Sequence, residues 1–482
     1  SNSGHPLRFA TAADAAGSTE YTTGVETNGT PGNSGAYTRI TVAADAPTPL
    51  YYYCTNHSGM GSYVNIGKNV SIANDGTLPK LSFTPTNSLS NDSVIFVDIP
   101  SGAFKTIGGT DISATNWTFT TKPPLKWFAW GANSYGTLGL NNTTKYSSPI
   151  QIGSDTGWNA LFGAKYTQGA TKDNGELWTV GDNDFGQLGN NTNGSPTARS
   201  SPVQIPGTTW DATNVTSNHA SVMICMRTDG TLWTWGQGVT GQLGQNSQTY
   251  YSSPVQIPGT TWSKAFTHNR GGGGVKTDGT LWMWGSNHNG GLGQNSRTNY
   301  SSPKQVPGTT WKQGTGESNN GVSAVKTDGT LWSWGSNSYG QLGINAPHNV
   351  QYSSPTQVGS STDWDKVGGG NKFMMAIKTD GTFWSWGYNT YGALGVNDRT
   401  HRSSPVQVPG TTWNIIRTGK GNNVLTIKTD NTLWGWGNNP DGALGQNNSN
   451  DTGGRYSSPV QVPGTTWEVI MSVDGGAAGL KA

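Results

Sequence analysis

The stretch KTDGTLWSWGSNSYGQLG, residues 326 to 343, returns along the chain as KTDGTFWSWGYNTYGALG and KTDGTLWMWGSNHNGGLG. The glycine that ends its tryptophan-rich run gives a marker: Gly131, Gly181, Gly236, Gly285, Gly335, Gly387 and Gly437, seven copies spaced by 49 to 55 residues. Two more markers keep the same count. SSP recurs with Pro149, Pro202, Pro254, Pro303, Pro355, Pro405 and Pro459, and a tryptophan follows each at Trp158, Trp210, Trp262, Trp311, Trp364, Trp413 and Trp467. Such a period predicts a solenoid or a propeller, in which each unit buries its apolar face only against its neighbours.

Each unit reads as four short strands. In one copy they are TTWNII, VLTIKT, TLWGWG and SSPVQV. Asp-Gly between the second and third strands (Asp229-Gly230, Asp278-Gly279, Asp328-Gly329, Asp380-Gly381) is a strong hairpin signal, since both residues tolerate positive φ. Trp332 and Trp334 are two apart and share one face of their strand, which is expected to be buried against the next unit. Four strands in each of seven units predict a seven-bladed β-propeller. The chain ends supply the closure. TTWEVIMSV and AAGLKA at the C-terminus lack a third and fourth strand, while LKWFAWG and SSPIQI after Leu125 lack a first and second. One composite blade would join them and remove the open edges of the ring.

The signature DGTLWSWGSNSYGQLG resembles the repeat of the regulator of chromosome condensation family, over residues 125 to 482. The resemblance implies the propeller fold. The founding member is a nucleotide-exchange factor for a small GTPase that also binds nucleosomes. Related bacterial propellers include a secreted β-lactamase inhibitor, and phage genomes encode similar repeats in structural proteins. This chain has neither a long insertion to act as an exchange wedge nor a basic tail, so the exchange activity is not carried over. Function belongs to sites rather than folds.

The first 124 residues lack the repeat. YYYCTNHSGMG, residues 51 to 61, places Cys54, His57 and Met60 three apart. Thiolate, imidazole and thioether are the ligand types of a mononuclear copper electron-transfer site, which needs one more histidine; His5 in SGHPLRFA is the candidate. Residues 1–64 resemble the later part of a cupredoxin. That resemblance implies copper held by His5, Cys54 and His57 with Met60 axial. The module is short for a cupredoxin, so a further segment or another subunit would have to complete the barrel. The alternative is a module that keeps the motif as scaffold without copper. Residues 65–124 contain SVIFVDIPSGAFKTIGGTDISATNWTFTTKPP and resemble bacterial Ig-like domains. TKPP has the extended character of a linker. The expected fold is therefore all-β, with N-terminal β-sandwich modules at 1–64 and 65–124 before the propeller at 125–482.

Composition fits this reading. Hydrophobic residues make up 32%, charged residues only 12%, and there are 70 glycines and 21 tryptophans, which suits short strands joined by turns. The 29 basic residues nearly balance 27 acidic ones without a Lys/Arg run, so neither nucleic acid nor anionic lipid is an expected partner. No apolar stretch approaches a membrane-spanning length, and no membrane insertion is expected. Two cysteines are too few for a disulfide framework, and Cys225 in SVMICMRTDG reads as core. The opening SNSGHP, without methionine, reads as a processed chain or as part of a longer one.

Catalysis is not expected. His219, His268, His288, His348 and His401 fall across the repeats with no nucleophile or carboxylate at a fixed offset. The loops between LG and SSP are more informative. They run from LNNTTKY to QNNSNDTGGRY, and equivalent loops of a repeat share one face, often the binding face. Tyr146, Tyr251, Tyr300, Tyr352 and Tyr456 precede SSP in five units, with Arg199 and Arg402 in the other two. They are candidates for a ring that stacks on sugars; the alternative packs each tyrosine over its own blade edge.

The expectation is a non-enzymatic structural or adhesion protein. Low-charge mixtures of all-β modules resemble tailed-phage virion proteins, such as a fibre or a capsid-surface appendage. The propeller loops would then meet a host-surface glycan or protein, and the N-terminal part would dock to virion proteins. The corresponding location is a virion surface or the extracellular space. A bacterial cell-surface or secreted binding protein is the alternative, and a copper electron-transfer protein is the third reading. A homo-oligomer is left open.

Overall fold

The computed structural model describes residues 7–11, 20–30, 37–40, 50–54, 61–64, 70–74, 79–83, 94–99, 115–120, 123–194, 196–216, 221–418, 421–449 and 454–482. It divides into two compact units, Ser1–Pro123 and Pro124–Ala482. All regular elements among the described residues are strands.

In the first unit, Leu7–Ala10, Leu50–Cys54 and Gly61–Val64 form one antiparallel sheet, with Leu7 opposite Cys54. Among its described residues, Phe9, Ala10 and Leu50 are buried. Val25–Asn28 pairs with Tyr37–Ile40, Val70–Asn74 with Pro79–Phe83, and Val94–Ile99 with Thr115–Thr120.

The second unit is a seven-bladed propeller. Its fourth blade shows the plan: Trp311–Gly316, Gly321–Lys326, Leu331–Ser336 and Gln351–Gln357 run antiparallel in sequence order. Blades 1 to 6 begin at Trp158, Trp210, Trp262, Trp311, Trp364 and Trp413. The seventh is the expected composite, ordered Tyr146–Thr156, Lys126–Gly131, Gly476–Lys481, Trp467–Val473, with Trp127 opposite Leu480. A closed ring leaves only short outer edges to protect.

The hairpin between second and third strands differs in detail from expectation. Gly329 N–H donates to the Lys326 carbonyl at 3.0 Å and Lys326 N–H to Thr330 at 3.0 Å, a three-residue Thr-Asp-Gly loop. Only the glycine takes positive φ, +76°. Asp328 instead turns its Oδ1 on the backbone amide and hydroxyl of Thr330, at 2.9 and 2.7 Å. Thr330 Oγ1 in turn accepts from the Trp332 indole at 2.9 Å. The side-chain oxygen thus fixes the turn where a second positive φ is not needed.

The tryptophan face also departs from expectation: it meets the preceding blade. The Trp334 indole donates 2.9 Å to the Gly291 carbonyl of blade 3, and its ring packs among Phe266, Leu281, Met283 and Leu292. Trp130, Trp235, Trp284, Trp386 and Trp436 make the same bond to Ala443, Gln187, Gln242, Gln341 and Ala393, at 2.7 to 3.0 Å. Blade 1 has Val180 at this place and forgoes the bond. The second glycine of six of the seven GxLG turns is where the indole lands; at Gly139, which faces blade 1, Ile152 and Pro202 take its place. At Gly343, φ is +70° and a Cβ would lie 2.7 Å from the Trp386 indole nitrogen.

Each blade also clamps a cation between aromatic rings at its turn end. Lys326 Nζ lies 4.9 Å from the Trp311 ring centre and 4.2 Å from that of Trp332. Lys172, Arg227, Lys276, Lys378, Lys428 and Lys481 repeat the arrangement, the last with Phe128 and Trp467. Such pairs hold the first three strands of a blade together at about 0.5–2 kcal/mol each.

Candidate binding face

Antiparallel blades send their first-to-second and third-to-fourth connections to one end of the ring, the loop face. The Thr-Asp-Gly turns lie at the other end. On the loop face a buried asparagine organises the long connection of six of the seven blades. Asn389 Oδ1 accepts the Leu394 amide at 2.9 Å, while its Nδ2 donates to the carbonyls of Asp398 and Thr400 at 3.0 and 3.2 Å. Asn133, Asn183, Asn287, Asn337 and Asn439 accept from their own leucines in the same way. Blade 2 has Gly238 here, and the Thr249 carbonyl closes directly onto it.

This scaffold carries the exposed apolar groups. Five large hydrophobic side chains are exposed among the described residues, and four of them, Tyr135 (41%), Val239 (44%), Tyr250 (38%) and Val350 (39%), sit on the loop face. Tyr135 stacks on Tyr166 with ring centres 4.9 Å apart, and Phe185 meets Tyr250 edge-on at 5.6 Å. Burial and the nearby Asp474 raise the Tyr166 phenol above its ordinary value, so it stays a neutral donor.

The largest aromatic group on this face joins blades 4 and 5. Tyr339 and Tyr388 lie 4.9 Å apart, both touch His401 at 5.6 and 5.0 Å, and Tyr391 adjoins Tyr388 at 6.1 Å. Lys372 Nζ sits 4.9 Å from the Tyr339 ring, and the Arg455 guanidinium 4.9 Å from the Tyr391 ring. His401 Nδ1 accepts the Asn389 amide at 3.0 Å, which leaves the proton on Nε2. Burial, with His348 nearby, lowers its pKa and favours that neutral form.

Beneath this group Glu317 is fully buried, bridging blades 4 and 5. Its carboxylate accepts the amides of Gly321, Asn319 and Lys372 at 2.6, 2.7 and 3.0 Å, and burial pushes its pKa up to about 7. Lys372 itself holds φ +64°. The platform therefore rests on a rigid support rather than on a free loop.

The tyrosines that precede SSP are not brought together. Each lies at the start of an outer strand, Tyr352 as its second residue, opposite a marker glycine: Tyr146 at Gly131, Tyr251 at Gly236, Tyr300 at Gly285, Tyr352 at Gly335 and Tyr456 at Gly437. All five are half-buried, and Tyr146, Tyr251, Tyr300 and Tyr456 pack on the cores of their blades. Arg199 donates to the Thr197 and Ala198 carbonyls, while Arg402 pairs with Asp398 in its own loop. His5, His57, Met60 and His219 lie outside the described residues, as does the side chain of Cys54. Cys225 is buried and free, its thiol pushed well above the usual range by burial.

A profile of the Regulator of chromosome condensation (RCC1) repeat matches residues 126–159, 174–224, 229–270, 278–313, 328–377 and 380–418, just over half of the chain. The chain belongs to the RCC1-repeat family of β-propellers. It is 27% identical over 146 residues to the Regulator of chromosome condensation of Xenopus laevis, covering 30% of this chain and 34% of that protein. It is 26% identical over 289 residues to the Ultraviolet-B receptor UVR8 of Arabidopsis thaliana, covering 58% and 53%. A match to the E3 ubiquitin-protein ligase HERC2 of Mus musculus, 28% identical over 199 residues, takes in 41% of this chain and 4% of that protein. The chain thus spans about half or less of the length of these relatives. Among solved structures, Prp20p of Saccharomyces cerevisiae superposes with TM-score 0.65 at 17% identity over 74% of this chain and 92% of its own. Human WBSCR16 gives 0.64 at 17% identity, over 74% and 98%. These likenesses establish the fold; the Prp20p structure was described with its binding to Gsp1p and histones, and yeast RCC1 (Prp20) also bound to Kap60.

Proposed function

We propose that this protein is a non-enzymatic binding and structural protein whose propeller holds a partner through its loop face. The observation that carries the reading is the cluster of half-buried aromatic side chains Tyr339, Tyr388, Tyr391 and His401 on that face, which also bears the exposed Tyr135, Val239, Tyr250 and Val350. Aromatic rings edged by Lys372 and Arg455 suit a protein or glycan surface, because they offer area at little entropic cost and cations at the rim. Partner binding by Prp20p supports the same use of the fold.

The setting we propose is a virion fibre or capsid-surface appendage, with a host-surface glycan or protein as partner and the N-terminal unit docking to the particle. Copper at the Cys54 motif is a separate proposal, to be tested by metal analysis and visible spectrum of native material. The experiment for the main reading is fractionation of native material followed by rebinding of the full chain. Cofractionation with intact particles, with rebinding to host envelope lost in Tyr339→Ala/Tyr388→Ala and kept in Lys172→Gln on the turn face, is the expected result. Recovery in host envelope alone would favour a bacterial surface protein; rebinding unaffected by the tyrosine changes would remove the loop face from the account.

A further inference from the structure

The seven first strands surround the axis of the ring and enclose a cavity of about 340 Å³. Its wall is Asn159, Asn214, Lys264, Gln313, Lys366, Asn414, Arg417 and Glu468, interleaved with small and aliphatic residues. Blade 2 contributes in an unusual way. Its inner strand breaks after Asp211, and Val215–Thr216 pairs in parallel with blade 3, Val215 opposite Ala265. That detour brings the Asn214 side-chain oxygen onto Lys264 Nζ.

The wall carries three cations, Lys264, Lys366 and Arg417, and one carboxylate, Glu468. Asp365 is engaged by Lys312 at 2.5 Å and by Lys366 at 3.7 Å, and Lys366 also donates to Asn414 Oδ1 at 2.7 Å. Asp211 turns its carboxylate on the amide and hydroxyl of Thr213. Lys264 has only the neutral Asn214 oxygen, and Arg417 donates to the carbonyl of Ile416 at 2.9 Å. Neither makes an ion pair with a carboxylate among the described residues. Burial lowers the Lys264 pKa, with the charges of Arg417 and Lys312 adding to it, while Asp211 acts in the opposite sense. Two cations that repel one another, half-buried in a wall of amide donors, constitute a site for negative charge.

We propose that the central channel binds a small oxyanion, of the phosphate or sulfate class, between Lys264 and Arg417. The amide groups of Asn159 and Gln313 lie in the same wall; Gln313 Nε2 already donates one hydrogen to the Asp365 carbonyl at 3.0 Å, so its second hydrogen and the Asn159 Nδ2 are the further donors. An anion removes the repulsion between the two cations and replaces the water each would otherwise hold. Because residues from all seven blades line the cavity, occupancy also stabilises the ring as a whole. The site is separate from the loop-face platform and does not depend on it.

The test is calorimetric titration of the full chain with inorganic phosphate at low ionic strength, with sodium chloride as the control. Saturable binding at one site per chain, weakened at least tenfold in Lys264→Gln and in Arg417→Gln but unchanged in Lys326→Gln, is expected. A wild-type measurement guards against variants that fail to fold: phosphate should slow acetylation of Lys264 at least threefold relative to exposed Lys145, read by mass spectrometry. Absence of saturable binding overturns the proposal. So does binding that survives both substitutions, or acetylation of Lys264 indifferent to phosphate.

Discussion

The backbone amide of Asn447 donates 2.9 Å to the carbonyl of Ser147, tying the sixth blade to the composite one. The same bond joins Asn141 to Ser200, Asn191 to Ser252, Asn246 to Ser301, Asn295 to Ser353, Asn345 to Ser403 and Asn397 to Ser457, at 2.7 to 2.9 Å. All seven asparagines hold positive φ, from 50° to 63°. The ring is thus stitched at every junction by an LGxN turn reaching the first serine of the next SSP. Asparagine is among the few non-glycine residues that adopt this conformation readily. Asn345→Ala should cost about 1 kcal/mol of stability and Asn345→Gly much less, measured by urea unfolding.

The indole bonds form the second stitch. Trp386→Phe leaves the buried Gln341 carbonyl without its donor and opens a small cavity against blade 4. A loss of about 2–3 kcal/mol is expected in the same unfolding measurement. A loss below about 0.5 kcal/mol would mean that the stacked blades do not depend on this contact.

The cation clamps predict a smaller effect. Lys428 Nζ lies 4.5 Å from the Trp413 ring and 4.4 Å from that of Trp434. Lys428→Met keeps the aliphatic stem and removes the charge, so it isolates the electrostatic part, about 0.5–1 kcal/mol. Tryptophan fluorescence during denaturation reads both the stability and the ring environment.

Two buried groups give opposite pH dependences. His268 is held down to about 4 by burial, so in acid the unfolded chain takes up a proton that the folded one refuses. Its contribution to stability is therefore lost as pH falls from about 6.5 toward 4. Glu317, pushed up to about 7 by burial, binds its proton more tightly in the folded state. Its contribution is present below about 4.5 and is lost as pH rises through 7. The stability of the wild type relative to Glu317→Gln should then decline between pH 4.5 and 7, measured by urea unfolding at several pH values. A rise over that window would contradict the sign.

Much of the propeller was legible in sequence because the repeat fixes which positions are equivalent. Four strands per unit and the composite blade follow from the order of TTW, KTDG, LWSWG and SSP. What repetition does not carry is which neighbour a residue touches. Trp334 was read against the following blade and meets Gly291 of the preceding one, because a periodic pattern is the same viewed in either direction. The LGxN asparagines recur in all seven units as faithfully as the tryptophans, and each second strand ends in a lysine, or Arg227 in blade 2; that recurrence was the signal available for both stitch and clamp.

The binding face was less legible. The tyrosines before SSP are periodic because they serve the blade edge, each facing a marker glycine. Tyr391 keeps the repeat position of Tyr339, but Tyr388 and His401 break the period, and their meeting with Tyr339 depends on two adjacent blades being packed. Likewise Lys264 and Arg417 come from blades 3 and 6 and approach only across the axis of the closed ring.

Closure of that ring is the central claim, since both the loop face and the channel depend on it. Native-state hydrogen exchange at the seven LGxN asparagine amides tests it directly. The account predicts that Asn447, at the junction between the two ends of the chain, is protected to within about tenfold of Asn295 and Asn345 in the middle of it. Exchange of Asn447 at the rate of an exposed amide, with the other six protected, would mean an open ring and would contradict the account.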